Sequence, residues 1–407
     1  MKNWLQEKKI DIKQKVILFL VSPFLSFVYS LTRIKTKSSY VVFYMFFIFF
    51  GLAFTVESGR PNDEGLDGSS YRYDFEQSKN MSSHTYLTGL YEYLTFKEGA
   101  KDYYFVTSTF LLSRITNNYH ILFMVFAIIF GYFSLKSLKI LTSEPNFTTS
   151  LSCFILVYLF MSNQIFNING VRFWTAAWIG VYAIFQIFRN GNNKYFLLAA
   201  ITPFFHAAFW IYLVIVGGAF FYKRHYKIWV VLFVASFFVS NISVDFVTRY
   251  IDLLPTFIAR SAQTYTSAEH IEEVNKVGSG FYWVAQIFKY SVRIYLNLLV
   301  WLFIRNSKTI FKNPKSNALF PFLLVWMSFV NFTMPIPSVG NRFVMLAYPM
   351  IAYIWLVNFK GVKYEKVLYA MPFVFLFSFY NQLKLYLMVI DFSFLYSSPF
   401  YLVYKYL

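Results

Sequence analysis

Long apolar runs, parted by short clusters of lysine and arginine, recur from residue 16 to residue 390. A helix that crosses a bilayer needs about 20 mostly apolar residues. The pattern predicts spans at 40–56, 119–138, 148–166, 171–188, 228–243, 282–304, 317–334, 342–359 and 367–390. Two runs do not fit a single crossing. Segment 104–115 is too short and is expected to dip in and return. Segment 195–222 is 28 residues long and ends in the cluster Lys223, Arg224, His225, Tyr226 and Lys227. One helix of roughly 42 Å would put that cluster on the opposite side from the other basic loops. Two shorter helices meeting near Pro203–His206 keep both basic ends together.

The chain opens with Lys2, Lys8, Lys9, Lys13 and Lys15, then an apolar run 16–31, then Arg33, Lys35 and Lys37. Basic flanks on both sides, without a small-residue cleavage site, predict an interfacial or re-entrant helix rather than a removable leader. The polar interruptions set the topology. Loops at 139–147, 189–194, 305–315 and 360–366 are basic, which marks the cytoplasmic side. Segment 57–103 is net acidic, with Glu57, Asp63, Glu64, Asp67, Asp74, Glu76, Glu92, Glu98 and Asp102, and is expected outside. Asn167–Arg172 then also falls outside, as does loop 244–281, whose first half, Val244–Ile258, has the spacing of a surface-lying helix. The organisation expected is a basic N-terminal segment (1–39), one transmembrane catalytic domain (40–390) and an aromatic tail (391–407). The fold class is an all-α polytopic integral membrane protein of about 11–13 segments, re-entrant helices included.

Composition agrees. Of 407 residues 57% are hydrophobic and 14% charged, with a mean hydropathy of +0.48; soluble proteins carry roughly 25% charged residues. The net charge of +18 lies in loops rather than in one basic face, so no nucleic-acid partner is implied, and the lipid bilayer is the partner. A lone cysteine, Cys153, excludes a disulfide within the chain and a cysteine metal site. There is no Gly-rich phosphate loop and no HExxH zinc pattern. No cofactor or metal is expected.

Charge inside an apolar stretch is expensive, and such residues usually face a polar cavity with a task there. Arg172, in Asn167-Ile-Asn-Gly-Val-Arg172, opens an apolar span, where helix-start amides and a guanidinium make an anion pocket. Arg342, in Met334-Pro-Ile-Pro-Ser-Val-Gly-Asn-Arg342, repeats the arrangement on the same side. His206, in Pro203-Phe-Phe-His206, is a candidate proton acceptor, with a hydrogen-bonded packing residue as the plainer alternative. Gln286, Lys289, Arg293 and Asn297 recur at three, four and four residues and so share one helix face. That stripe would extend an anion site or hold helices together. In the acidic loop, Asp67 and Tyr71 of Gly65-Leu-Asp67-Gly-Ser-Ser-Tyr71 stand apart, while most other carboxylates there are expected to be solvated.

These pieces together resemble the EpsG family. Arg60…Gly65-Leu-Asp67-Gly-Ser-Ser-Tyr71 resembles its G-x-D-x-x-x-Y signature, Asn169-Gly-Val-Arg172 with Phe173-Trp174 its N-x-x-R helix start, Pro203-Phe-Phe-His206 its F-H motif, and Asn341-Arg342-Phe343 its late R-F element. The resemblance runs in order from about 40 to 360; Ala207 and Ala208 depart from the small polar residue usual after the histidine, and 1–39 has no counterpart. The likeness implies a Wzy-like polymerase joining undecaprenyl-diphosphate-linked oligosaccharide repeats at the outer face of the bacterial inner membrane. On that reading Arg172 and Arg342, helped by Lys289 and Arg293, would bind the leaving diphosphate without a metal. His206 or Asp67 would accept the proton, and direct displacement would invert the anomeric centre. Asn169, Asn341, Tyr71, Tyr73 and Trp174 would contact the substrate. Donor and acceptor would both be lipid-linked glycans, with a chain-length regulator and a flippase of the same pathway as further partners. Two alternatives stand: a glycosyltransferase using a lipid-monophosphate donor, in which Asp67 or Asp74 outweighs the arginines, and a non-enzymatic glycolipid flippase or transporter.

Overall fold

The computed structural model describes residues 7–60, 66–97, 102–222, 225–238, 248–250, 263, 267, 282–359 and 361–407. It is 78% helical, with no strand among the described residues, which is the all-α class that the apolar runs predict. Four helical runs are long and apolar enough to cross a membrane: Tyr119–Thr142, Leu151–Arg189, Gln286–Arg305 and Val339–Asn358. Shorter apolar helices of 10–17 residues pack among them. The surface helix expected over Val244–Ile258, and most of loop 244–281, lie outside the described residues.

The N-terminal run forms two helices instead of one, α1 (Lys9–Val21) and α2 (Pro23–Leu31). Pro23 cannot donate to a continuing α1 ladder, and Ser22 caps α2 through Leu25 N–H at 3.3 Å. Lys15, grouped with the basic flank in sequence, is fully buried; its ammonium donates to Glu7, to Thr36 (2.8 Å) and to Ser38 (2.7 Å). Helix α3 (Lys37–Ala53) lies against α7 (Tyr119–Thr142) at a close crossing, where a Cβ on Gly51 would stand 2.5 Å from Ala127 Cβ. Between them the acidic segment is not irregular. It carries α4 (Asp67–Ser78) and α5 (Ser83–Leu94), followed by the short α6 (Tyr104–Ser113). Ser82 caps α5 through Thr85 N–H at 3.0 Å, and Asp67 stands in the first turn of α4, where a carboxylate suits the helix dipole.

The run Leu151–Arg189 folds back on itself. Helix α8 (Leu151–Phe160) is followed by an extended stretch and a 3-10 turn, Ile165–Gly170, before α9 (Val171–Ile184). Asn163 organises the reversal: its amide donates to Trp174 O and its carbonyl accepts from the Trp178 indole, each at 3.0 Å. A π turn, Phe185–Arg189, closes α9.

The ambiguous 195–222 stretch is two helices, α10 (Phe196–Phe205) and α11 (Phe209–Phe221), parted at His206, as the charge argument requires. Next come α12 (Tyr226–Ala235), α13 (Tyr282–Arg305), α14 (Ser307–Lys312), α15 (Leu319–Phe332) and α16 (Pro337–Asn358). The span expected at 367–390 is broken into α17 (Val362–Tyr369), α18 (Met371–Val374) and α19 (Leu376–Val389), with Pro372 in the first turn of α18. The aromatic tail ends in α20 (Pro399–Tyr406), which packs on α1 and α3; Asn118 donates to Tyr406 O at 2.6 Å.

Ion pairs mark the two ends of this bundle. At one, the buried Glu144 carboxylate accepts from Arg189 (2.5 Å), Lys315 (2.6 Å) and the Tyr353 hydroxyl (2.7 Å). Burial alone would raise its pKa, but the Lys315 and Arg189 hydrogen bonds hold it below the ordinary carboxylate value. Arg172, at the far end of α9, stands roughly 25 Å away.

Candidate functional site

The site is built around the N-terminus of α9. Asp67, Tyr71 and Asp74 are spaced four and three residues apart and so lie on one face of α4. Tyr71 is buried against Phe105 (ring centroids 4.6 Å apart), and its hydroxyl accepts from Arg172 Nε at 3.4 Å. The Gly-Asn turn seats α4. Gly68 N–H donates to Asn169 Oδ1 at 2.9 Å, and any Cβ on Gly68 would come within 2.8 Å of that oxygen. A Cβ on Gly170 would lie 3.4 Å from Asp67 Oδ2 and 2.9 Å from the Trp174 ring, so carboxylate and indole flank the bare backbone of this turn.

Arg172 does not stand alone. Its Nη1 pairs with Asp102 Oδ2 at 3.3 Å, and the Asp102 side chain is almost wholly buried. Asp74 lies close enough that the same guanidinium acts on it. Burial raises the Asp74 carboxyl above its ordinary pKa, and Arg172 offsets part of that rise. Burial likewise raises the Tyr71 hydroxyl. This half of the site therefore holds one cation among Asp67, Asp74 and Asp102. Asp102 escaped the sequence reading, although an acid two residues before an apolar run needs a partner once the run is packed.

The other half is built around Phe173, the next residue of α9. The His206 ring stands edge-on to Phe173 at 5.3 Å, and the Arg342 guanidinium lies 5.8 Å from the same ring centre. Phe343 and Phe209 also pack on it, at 5.2 Å and 5.3 Å. His206 ends α10 in extended backbone, and its Nδ1 accepts from Ala208 N–H at 3.2 Å. A neutral imidazole that accepts at Nδ1 carries its proton on Nε2, so this ring is set to donate from Nε2. Tyr103 N–H bonds Phe204 O at 3.0 Å, which ties the Asp102 segment to the His206 segment.

Arg342 lies five residues into α16, not at its start, because Pro337 begins the helix at its fixed φ. A Cβ on Gly340 would meet Met334 Cα at 2.8 Å, so only glycine allows this approach to the end of α15. Among the described residues Arg342 has no hydrogen bond or ion pair. Its neighbour Asn341 accepts from Arg293 Nη2 at 2.5 Å. The stripe continues inward: Asn297 and Asn331 exchange amide hydrogen bonds at 3.1 and 3.2 Å, and Asn331 donates to Ser236 at 3.3 Å. A cavity of about 540 Å³ opens beside Arg293, Asn297 and Trp301. Lys289 lies one turn before Arg293 on the same helix face.

The structure thus brings Asp67, Tyr71, Asn169, Arg172 and Trp174 into one cluster and His206 and Arg342 into a second around Phe173, which packs on Trp174, and joins Arg293 to the second through Asn341. Phe173, the ring that His206 and Arg342 share, entered the sequence reading only beside the Arg172 motif, with no role assigned. No curated protein and no solved structure matches this chain in comparison. The pattern of the EpsG family matches residues 40–398, nearly the whole chain beyond the N-terminal helices. The protein belongs to the EpsG family of Wzy-like polysaccharide polymerases.

Proposed function

We propose that this polymerase joins undecaprenyl-diphosphate-linked oligosaccharide repeats at the periplasmic face of the bacterial inner membrane. One observation carries the reading: an acid-rich cluster around Arg172 and a cluster holding His206 and Arg342 around Phe173 are built on adjacent residues of α9. Glycosyl transfer from a lipid diphosphate needs both. The acceptor sugar hydroxyl attacks C1 of the donor glycan, the C1–O bond to the diphosphate breaks, and its electron pair leaves on the diphosphate. The hydroxyl proton passes to a carboxylate. Asp74, which burial makes a stronger base than an ordinary carboxylate, suits that role, with Asp67 on the same face; the His206 Nδ1 already accepts from Ala208 N–H. His206 Nε2–H and Arg342 would stabilise the charge growing on the leaving oxygen, which is where fixed donors accelerate most. Arg172 holds Asp102 and Tyr71 in place and adds its remaining donors to the diphosphate. Arg293 and Lys289 extend the cationic side. A single displacement inverts the anomeric centre, and all the cationic work is done by side chains. The basic end around Arg189 and Lys315 would then face the cytoplasm by the positive-inside rule.

The carboxylates around Arg172 also allow a second reading, a lipid-monophosphate sugar donor with a divalent metal, although no three metal-ligating side chains stand together among the described residues. One experiment separates the two. Purified protein receives its lipid-diphosphate repeat in the presence of EDTA, and polymer ladders are compared for wild type, Arg172→Ala, Arg342→Ala and His206→Ala. A ladder that survives EDTA and is lost in the arginine variants supports the polymerase. A folded wild type that makes no ladder without added metal supports the second reading.

A further inference from the structure

A second cavity, of about 500 Å³, lies apart from the Phe173 centre between α2, α3, α8 and α19. Its size is that of a pocket for a drug-sized molecule, roughly 300–1,000 Å³. Its walls are hydrocarbon, with Phe27 and Leu31 on α2, Phe43 and Phe47 on α3, and Leu383 and Leu387 on α19. Phe27 stacks on Phe46 at 4.3 Å, so the wall that α2 supplies is firmly placed. Ser22 also donates to Leu395 O at 2.8 Å, pinning the start of α2 to the far side of the slot. An apolar cavity of this kind excludes water and takes apolar ligands.

Two features identify the occupant. The slot opens sideways along α19, where Phe379, Leu383 and Leu387 are each about half exposed, so a chain can enter from the bilayer. Its polar rim is formed by Gln164, which donates to Gln382 at 3.0 Å, and by Tyr386, whose hydroxyl accepts from Phe166 N–H at 3.5 Å. Gln164 and Ile165 line the slot, and Ile165 begins the turn that ends at Gly170, two residues before Arg172. The slot and the anion site are thus two sides of one loop.

We propose that this slot seats the phosphate-proximal isoprenoid units of the lipid-linked substrate, with the rest of the chain in the bilayer. The inference rests on the lipid-linked polymerase reading and adds where the lipid is held. It also gives a task to α2, which lies outside the family match at 40–398 and builds one wall.

The test uses the full chain in nanodiscs of neutral phospholipid and a polyprenyl diphosphate carrying a diazirine near its phosphate. Photolabelling is expected on peptides of α2 and α19, competed by unlabelled polyprenyl diphosphate and not by phospholipid. Leu383→Trp and Leu31→Trp, which fill the slot from two different walls, should each cut that labelling roughly tenfold, the equivalent of losing about two buried CH₂ groups. They should also raise KM for a long-chain repeat relative to a short-chain repeat bearing the same glycan. Labels that map to other helices, or a diazirine phospholipid that labels the slot equally well, would overturn the proposal. Slot labelling in a protein that makes no ladder would sink the polymerase reading alone; a ladder with labels elsewhere would sink the slot alone.

Discussion

Arg172 and Arg342 look alike in sequence, each following a Gly/Asn turn, yet they sit in opposite surroundings. Arg172 is paired with the buried Asp102, whereas Arg342 lies over the Phe173 ring with no hydrogen bond or ion pair among the described residues. Their variants should therefore fail differently. On the proposed mechanism Arg342→Ala removes a cation from the leaving group, and it should lower the polymerisation rate by roughly 10²–10³ with little change in thermal stability. Arg342→Lys should restore part of the rate. Asp102→Asn should lower activity as well, by roughly ten- to a hundredfold, because it frees the Arg172 guanidinium from a charged hydrogen bond. Initial rates of ladder formation with a melting curve for each variant check both. Asp74 supplies a pH prediction. Its pKa is raised by burial, so a base at this position loses its lone pair as pH falls through a value above the ordinary carboxylate range. The acid limb of the rate profile should sit correspondingly high and vanish in Asp74→Asn, leaving a low, flat rate. A limb unchanged in that variant would assign the proton to another group.

Helix contacts decide the next level. The crossing of α3 and α7 depends on Gly51, where a Cβ would meet Ala127 Cβ at 2.5 Å and Phe123 O at 2.6 Å. Gly51→Leu should lower the melting temperature strongly, since forcing extra methylenes into a packed contact costs about 1–3 kcal/mol or more. Gly217→Ala, in α11, meets nothing within 4 Å and should be neutral or slightly stabilising. Tryptophan fluorescence melts in detergent separate the two outcomes. The apolar runs made most helices legible, including the break at His206, because charge placement left one arrangement of 195–222. They did not reveal that α8 is only ten residues long, nor that 367–390 is broken. Hydropathy averages over a whole segment, so the apolar flanks of 148–166 mask the polar run Ser162, Asn163 and Gln164 at which α8 ends and Asn163 bonds across to α9. In the same way Asp67, Tyr71, Arg172, His206 and Arg342 could be chosen from local context, because charge and turn residues stand out in an apolar chain. Asp102 and Phe173 could not, since each matters through a partner distant in sequence.

At the scale of the whole molecule, the end opposite the site is held by Glu144 with Arg189, Lys315 and Tyr353. The folded pKa of Glu144 is depressed below its usual 4.5, so its contribution is present above that value and is lost as pH falls through the folded pKa. Acidification below about pH 4.5 should therefore lower the melting temperature, and Glu144→Gln should flatten that dependence while lowering stability at neutral pH. Measuring melts across pH for both proteins decides it; parallel curves would remove Glu144 from the account. The same cluster bears on the site in another way. Helix α9 and its closing turn run from Arg172 to Arg189, and a carboxylate from a different element grips each end: Asp102 ahead of α6, Glu144 behind α7. The helix is a strut fastened at both tips, so it cannot slide along its axis without straining both fastenings. A small molecule that pried Arg189 from Glu144 would tug the Arg172 cluster out of register, so the candidate site would be open to inhibition from the opposite end of the bundle.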